Sequence, residues 1–171
     1  YRVEPANAPS LLISHGSPRH YREGYGRFLT EEKFSQIAEL YPADILIGSH
    51  THRPFEHRSG EHLFLNTGAV GAPFNQDTRA QYLLMTLRQN KWEWEFRAVS
   101  YDREAALAAY ETSGYLPAGD LSAFIFREEL RYAVPIYAPF WMWAEKVQKN
   151  KAWPAWHEFW ELYQEKYLNA D

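Results

Sequence analysis

The stretch Asp44 to Pro54, DILIGSHTHRP, decides the fold. Asp44 to Gly48 reads as a short buried strand, because an apolar run of this length closed by glycine suits a strand covered on both faces. It runs directly into Ser49-His50-Thr51-His52, and Pro54 is expected to stop it. On an extended strand, two histidines separated by one residue point to the same face, which is bidentate geometry for a metal. Neutral imidazole is a good ligand for several divalent transition metals. The pair also has a plainer reading, as two loop histidines of which one is packed and one solvated.

Working outward, Ser10 to Ser14 (SLLIS) forms a second short apolar run, ending at His15-Gly16. His20 to Thr30 is a polar loop. Thr30 is placed to cap a helix, with Glu31 and Glu32 favourable in its first turn. Phe34, Ile37, Ala38 and Tyr41 then fall at helical spacing, and Pro42 ends the element. His62 to Leu65 is a third short strand, followed by Asn66-Thr67-Gly68-Ala69-Val70-Gly71. Residues 80–88 and 91–99 read as a hairpin around Gln89-Asn90. In its second arm Trp92, Trp94, Phe96 and Ala98 alternate with Glu93, Glu95 and Arg97, the pattern of a half-buried strand. Three strand ends therefore stop at polar, glycine-flanked loops, SHG (14–16), GSHTH (48–52) and NTGAVG (66–71). Ligands of open α/β sheets collect outside such carboxyl ends.

Asp102 caps a helix that runs through Ser113 and is stopped by Gly114. Pro117 to Gly119 is the best internal boundary, giving residues 1–116 and 117–171 as the two parts. Beyond it the chain is helical and aromatic. Trp156, Phe159, Trp160, Tyr163 and Tyr167 share one helix face. Most of these rings are expected to be core, with an oligomer interface or a lid as the alternatives.

Composition limits the chemistry. The chain has 171 residues, 46% hydrophobic and 23% charged, an ordinary globular balance. Its net charge of -4 does not favour nucleic-acid binding. With no cysteine, only His, Asp and Glu remain as metal ligands. No apolar run approaches the ~20 residues of a membrane span and no signal peptide is visible, so a cytoplasmic protein is expected. Aromatic residues make up 17%. Tyr1 enters a strand-like segment without an initiator methionine, which leads us to expect further chain upstream.

With these residues in view, the chain resembles the calcineurin-like metallophosphoesterases, near the small bacterial phosphodiesterase branch. His15-Gly16 matches the His-Gly motif, and residues 15–19, His-Gly-Ser-Pro-Arg, match its longer form. Ser49 to His52 matches Gly-His-Thr-His with Ser for Gly. Asn66 to Gly71 matches Asn-Pro-Gly-Ser-Val-Gly, with Thr67 for Pro and Ala69 for Ser. Asp77-Thr78-Arg79-Ala80 also fits, and order and spacing agree from residue 10 to about 113. The fold implied is α/β, the C-terminal half of the metallophosphoesterase β-sandwich flanked by helices, with a helical aromatic-rich C-terminal extension.

The resemblance implies hydrolysis of phosphomono- or phosphodiesters by metal-bound hydroxide at a dinuclear site. It makes His15 and His50 ligands of the second metal and His52 a ligand of the first. Two divalent ions are implied, Mn, Fe, Zn or Ni, with Mn favoured. Arg19 and Arg53 are candidates to meet substrate phosphate. Asn66 and Gly68 are candidates to shape the loop on the substrate side. The substrate implied is a phosphate ester or nucleotide. Three family motifs are absent here, Asp-x-His, Gly-Asp-x-x-Asp and Gly-Asn-His-Asp/Glu. They would supply the bridging carboxylate, an Asn ligand and the leaving-group histidine. Asp44, Asp77, Asp102, Asp120 and Asp171 lie in no such context. The catalytic histidine and the remaining ligands are therefore expected from an N-terminal half of the same protein.

Two other readings stand beside this one. A mononuclear zinc hydrolase would use His15, His50 and His52 together. A protein-binding scaffold of the same fold would not need them. Among the other histidines, His20 reads as a solvated loop residue, with a phosphate-facing role as the alternative. His57, His62 and His157 read as structural or exposed, and Glu56 and Glu61 as solvated.

Overall fold

The computed structural model describes residues 1–168, without the side chains of Tyr167 and Leu168. Asp171 and the expected place of the Tyr167 ring lie outside the described residues. The chain forms two compact units. The first holds residues 1–73 and 79–99, the second residues 74–78 and 100–171.

The first unit is built on a five-stranded sheet. Its strands are β1 (Arg2–Val3), β2 (Leu11–Ile13), β3 (Ile45–Gly48), β4 (Pro54–Ser59) and β5 (His62–Thr67), in spatial order β1-β2-β3-β5-β4. β2, β3 and β5 are parallel neighbours, with Leu11, Ile45 and Leu63 in line. β1 and β4 run antiparallel along the two edges. Because side chains alternate across a strand, each parallel strand feeds both faces. Leu46 and Phe64 pack with Phe34, Ile37 and Ala38 of helix α1 (Glu31–Leu40). Leu11, Ile45, Ile47, Leu63 and Leu65 pack on the other face against Leu83, Met85, Trp92, Trp94 and Phe96. Those five belong to the hairpin of β6 (Ala80–Arg88) and β7 (Lys91–Val99). The hairpin turn places Gln89 and Asn90 at φ 48° and 61°, the left-handed pair of a tight two-residue turn.

Three local expectations are corrected. Pro54 does not end a strand but opens β4, pairing opposite Thr67 at the sheet edge, where its missing N–H can face away from the ladder. Thr30 stands at the N-cap of α1 but its side chain makes no capping hydrogen bond. Ser10–Ser14 is strand only over Leu11–Ile13, and of these Leu11 alone is fully buried.

Among the described residues the second unit holds four helices, α2 (Arg103–Thr112), α3 (Tyr115–Tyr132), α4 (Tyr137–Lys146) and α5 (Trp153–Leu168). Asp102 caps α2 as expected, its carboxylate accepting the Ala105 amide at 2.9 Å. The chain passes from the first unit to the second at Val99/Ser100, and residues 74–78 also belong to the second. Pro117 lies in the first turn of α3, where a missing N–H breaks no helical bond, and the disruption beyond it is a kink at Asp120. Most aromatic rings of α4 and α5 are core. Phe140, Trp156 and Phe159 are buried with Leu121 and Ile125, and Trp141, Trp143, Trp153 and Trp160 pack around them. No helix among the described residues is long and apolar enough to cross a membrane.

Candidate metal centre

The parallel register brings the carboxyl ends of β2, β3 and β5 side by side, and with them the loops that begin at Ser14, Ser49 and Gly68. Backbone hydrogen bonds join the first two. The Ser14 amide donates to the Ile47 carbonyl at 2.9 Å, and the Ser49 and His50 amides both donate to the His15 carbonyl, at 2.8 and 2.9 Å. The result is that His15 Nε2 and His50 Nδ1 stand 3.2 Å apart, with the rings edge-on.

His50 and His52 do not share an extended strand, which corrects the geometric argument made from their spacing. The His52 amide donates back to the Ser49 carbonyl at 3.0 Å, closing a turn, and His52 adopts φ 56°. The strand ends at Gly48 because the next two amides are taken by His15. His52 Nδ1 lies 2.7 Å from the Ala72 carbonyl. A carbonyl only accepts, so Nδ1 is the donor in this contact, and a tautomer that makes it has Nε2 as its acceptor nitrogen. Metal-bound histidines are oriented by the same kind of second contact.

Burial pulls the His50 imidazole below its ordinary value, and the charges of His15, His52, Arg22 and His20 push the same way. Both effects favour the neutral imidazole, the form that binds metal. At metal–nitrogen distances of about 2.0–2.1 Å, neighbouring ligand nitrogens lie about 3.0–3.4 Å apart. The His15–His50 separation fits such a pair. The donor set stops short of a complete centre, because the described residues hold no group of three or more His, Asp or Glu able to bind a metal.

The other expected site residues have specific places. Asn66 is fully buried. Its Nδ2 donates to Thr51 Oγ1 at 2.8 Å and to the Tyr25 carbonyl at 3.3 Å, while its Oδ1 accepts the Gly68 amide at 3.1 Å. It holds the His50–His52 turn to its neighbours. Arg19 is engaged by Glu23, with Nε donating at 2.9 Å and a second, shorter bond from Nη2. Arg53 is exposed beside His52. Gly68 is buried at φ 77°. Among the remaining histidines, His57 pairs with Glu31 at 2.8 Å and His62 donates to the Ala43 carbonyl at 2.8 Å. Glu56 accepts from the Trp94 indole at 2.9 Å.

Sequence reading missed the supports. Thr51 lies between the two histidines, and its hydroxyl donates to the Tyr25 carbonyl at 3.1 Å. Ser17 Oγ accepts the Arg19 and His20 amides and donates to Glu23. The available signal was the His-Gly-Ser-Pro-Arg run itself, whose serine organises the loop.

No protein-family model and no curated protein matches the chain. Solved structures do. A metallophosphoesterase from Sphaerobacter thermophilus superposes with a TM-score of 0.58 at 21% identity, over 78% of this chain and 57% of that one. A hypothetical protein from Pyrococcus horikoshii superposes with a TM-score of 0.52 at 15% identity, over 67% of this chain and 44% of that one. The chain thus spans about half the length of these structures. Over the matched part, the chain shares the fold of these structures, one of them a metallophosphoesterase.

Proposed function

We propose that this chain is the three-histidine part of a metal-dependent phosphoesterase that hydrolyses phosphomonoesters or phosphodiesters. The observation that carries this reading is the convergence of His15 Nε2 and His50 Nδ1 at the carboxyl ends of adjacent parallel strands, in a fold shared with a metallophosphoesterase. His15 and His50 would hold one divalent ion and His52 would reach a second, with manganese the proposed metal.

When bound, such ions polarise phosphoryl oxygens and lower the pKa of water. Two neighbouring dications repel one another, and neutral imidazoles offset none of that charge. A bridging carboxylate is therefore needed, and we assign it, with the proton donor for the leaving group, to residues outside this chain. Within the chain, Asn66 and Thr51 hold the histidine turn in place. Glu23 and Ser17 order the loop after His15. Arg53 is the proposed contact to substrate phosphate. The lack of a third convergent donor among the described residues counts against a single zinc held by all three histidines.

The test is turnover of bis(p-nitrophenyl) phosphate by the natural full-length protein with added Mn²⁺. His50→Ala is expected to reduce it by about 10²-fold or more. Undiminished turnover in the variant contradicts the reading. Absence of both turnover and metal uptake in the wild type would favour a protein-binding scaffold.

A further inference from the structure

The loop after His15 carries an exposed pair of stacked rings. His20 and Tyr21 lie with centroids 4.7 Å apart and planes at 24°. Tyr21 is 66% exposed, so core packing does not account for its ring. The pair is nevertheless fixed. His20 Nδ1 accepts the Arg22 amide at 3.1 Å, the His20 amide donates to Ser17 Oγ, and the His20 carbonyl accepts the Ser17 and Glu23 amides. The backbone of His20 and Tyr21 also lies directly against Gly16, where a Cβ would stand 2.5 Å from the Tyr21 carbonyl oxygen. Gly16 follows His15, so the ring pair is tied by a short, closed loop to one of the two converging histidines. On its far side the same loop packs on the other, since Gly24 closely approaches Thr51 and His50.

We infer that the His20–Tyr21 pair is a stacking platform for a planar aromatic group on the alcohol side of the phosphate ester, the nucleobase of a nucleotide. This rests on the phosphoesterase reading and, within the phosphate-ester or nucleotide substrate that the resemblance implies, assigns two residues to the base of a nucleotide. An exposed ring held by hydrogen bonds at its base offers a ready face. Base–aromatic stacking is sequence-tolerant because every base has a π-face. Arg22, the next residue after Tyr21, adds a positive charge to the same loop.

The test is calorimetric binding of adenosine 5′-monophosphate and of ribose 5-phosphate to the natural full-length protein with Mn²⁺. The nucleotide is expected to bind about tenfold more tightly, the scale of a single base stack. Tyr21→Ala is expected to remove that difference while leaving ribose 5-phosphate affinity unchanged, and Tyr21→Phe to retain it. Equal binding of the two ligands, or an equal loss of both in Tyr21→Ala, overturns the platform while leaving the phosphoesterase reading intact. Binding of neither ligand, together with no turnover of bis(p-nitrophenyl) phosphate, overturns both.

Discussion

His15 Nε2 and His50 Nδ1 stand 3.2 Å apart although 35 residues separate them in the chain. The strands position them, and the His15 carbonyl locks the arrangement by accepting two amides of the opposite loop.

Asn66 should matter through structure. Among the described residues its side chain makes three hydrogen bonds, each to a backbone or side-chain group of a neighbouring loop, and it is fully buried. Asn66→Ala leaves the buried Gly68 amide without its partner, which costs about 1–3 kcal/mol. We expect a lower urea midpoint and weaker metal binding together. Loss of metal binding at unchanged stability would instead assign Asn66 a direct role at the ligand.

Gly68 and Gly71 should differ sharply. Gly68 has φ 77°, and a Cβ there would meet Gln81 and Pro54 at 2.9–3.0 Å. Gly68→Ala is expected to destabilise by about 1–3 kcal/mol. A Cβ on Gly71 meets nothing within 4 Å, so Gly71→Ala should stay within about 0.5 kcal/mol. Denaturation of the two variants in parallel checks this, and equal effects would contradict it.

Much of this architecture was legible in the residues. Buried runs closed by glycine located β3 and β5, and the alternation of Trp92, Trp94 and Phe96 located β7, because both follow from which face meets a core. The turn at His50–His52 was not legible. Its cause is the His15 carbonyl, a partner distant in sequence, and a two-residue spacing carries no record of it. Pro54 misled for a related reason, since proline is excluded from central strands but tolerated at an edge, and edge position is set by topology. Motif order placed Asn66 and Arg19 near the site, but their hydrogen-bond partners, Thr51 and Glu23, are what define their roles here.

Glu129 gives a pH dependence to the helical unit. Burial raises its carboxyl above the ordinary value of 4.5, and the amides of Ile136 and Tyr137, each at 2.7 Å, counter this only in part. The folded state thus prefers the protonated form more strongly than the unfolded chain does. Its stabilising contribution is full below pH 4.5 and is lost as pH rises through the elevated folded value. Glu129→Gln cannot ionise, so its denaturant midpoint should fall less between pH 4 and 8 than that of the wild type. Parallel profiles for the two proteins would contradict the assignment.

The central claim is that His15 and His50 grip one ion, and its most direct measurement is equilibrium Mn²⁺ binding to the natural full-length protein and to His15→Ala, His50→Ala and the double variant. Two ligands of a single ion are not independent. The account predicts that each single variant loses high-affinity binding of one ion and that the double variant is little worse than either. Strictly additive losses, or unchanged Mn²⁺ binding in the single variants, would contradict it.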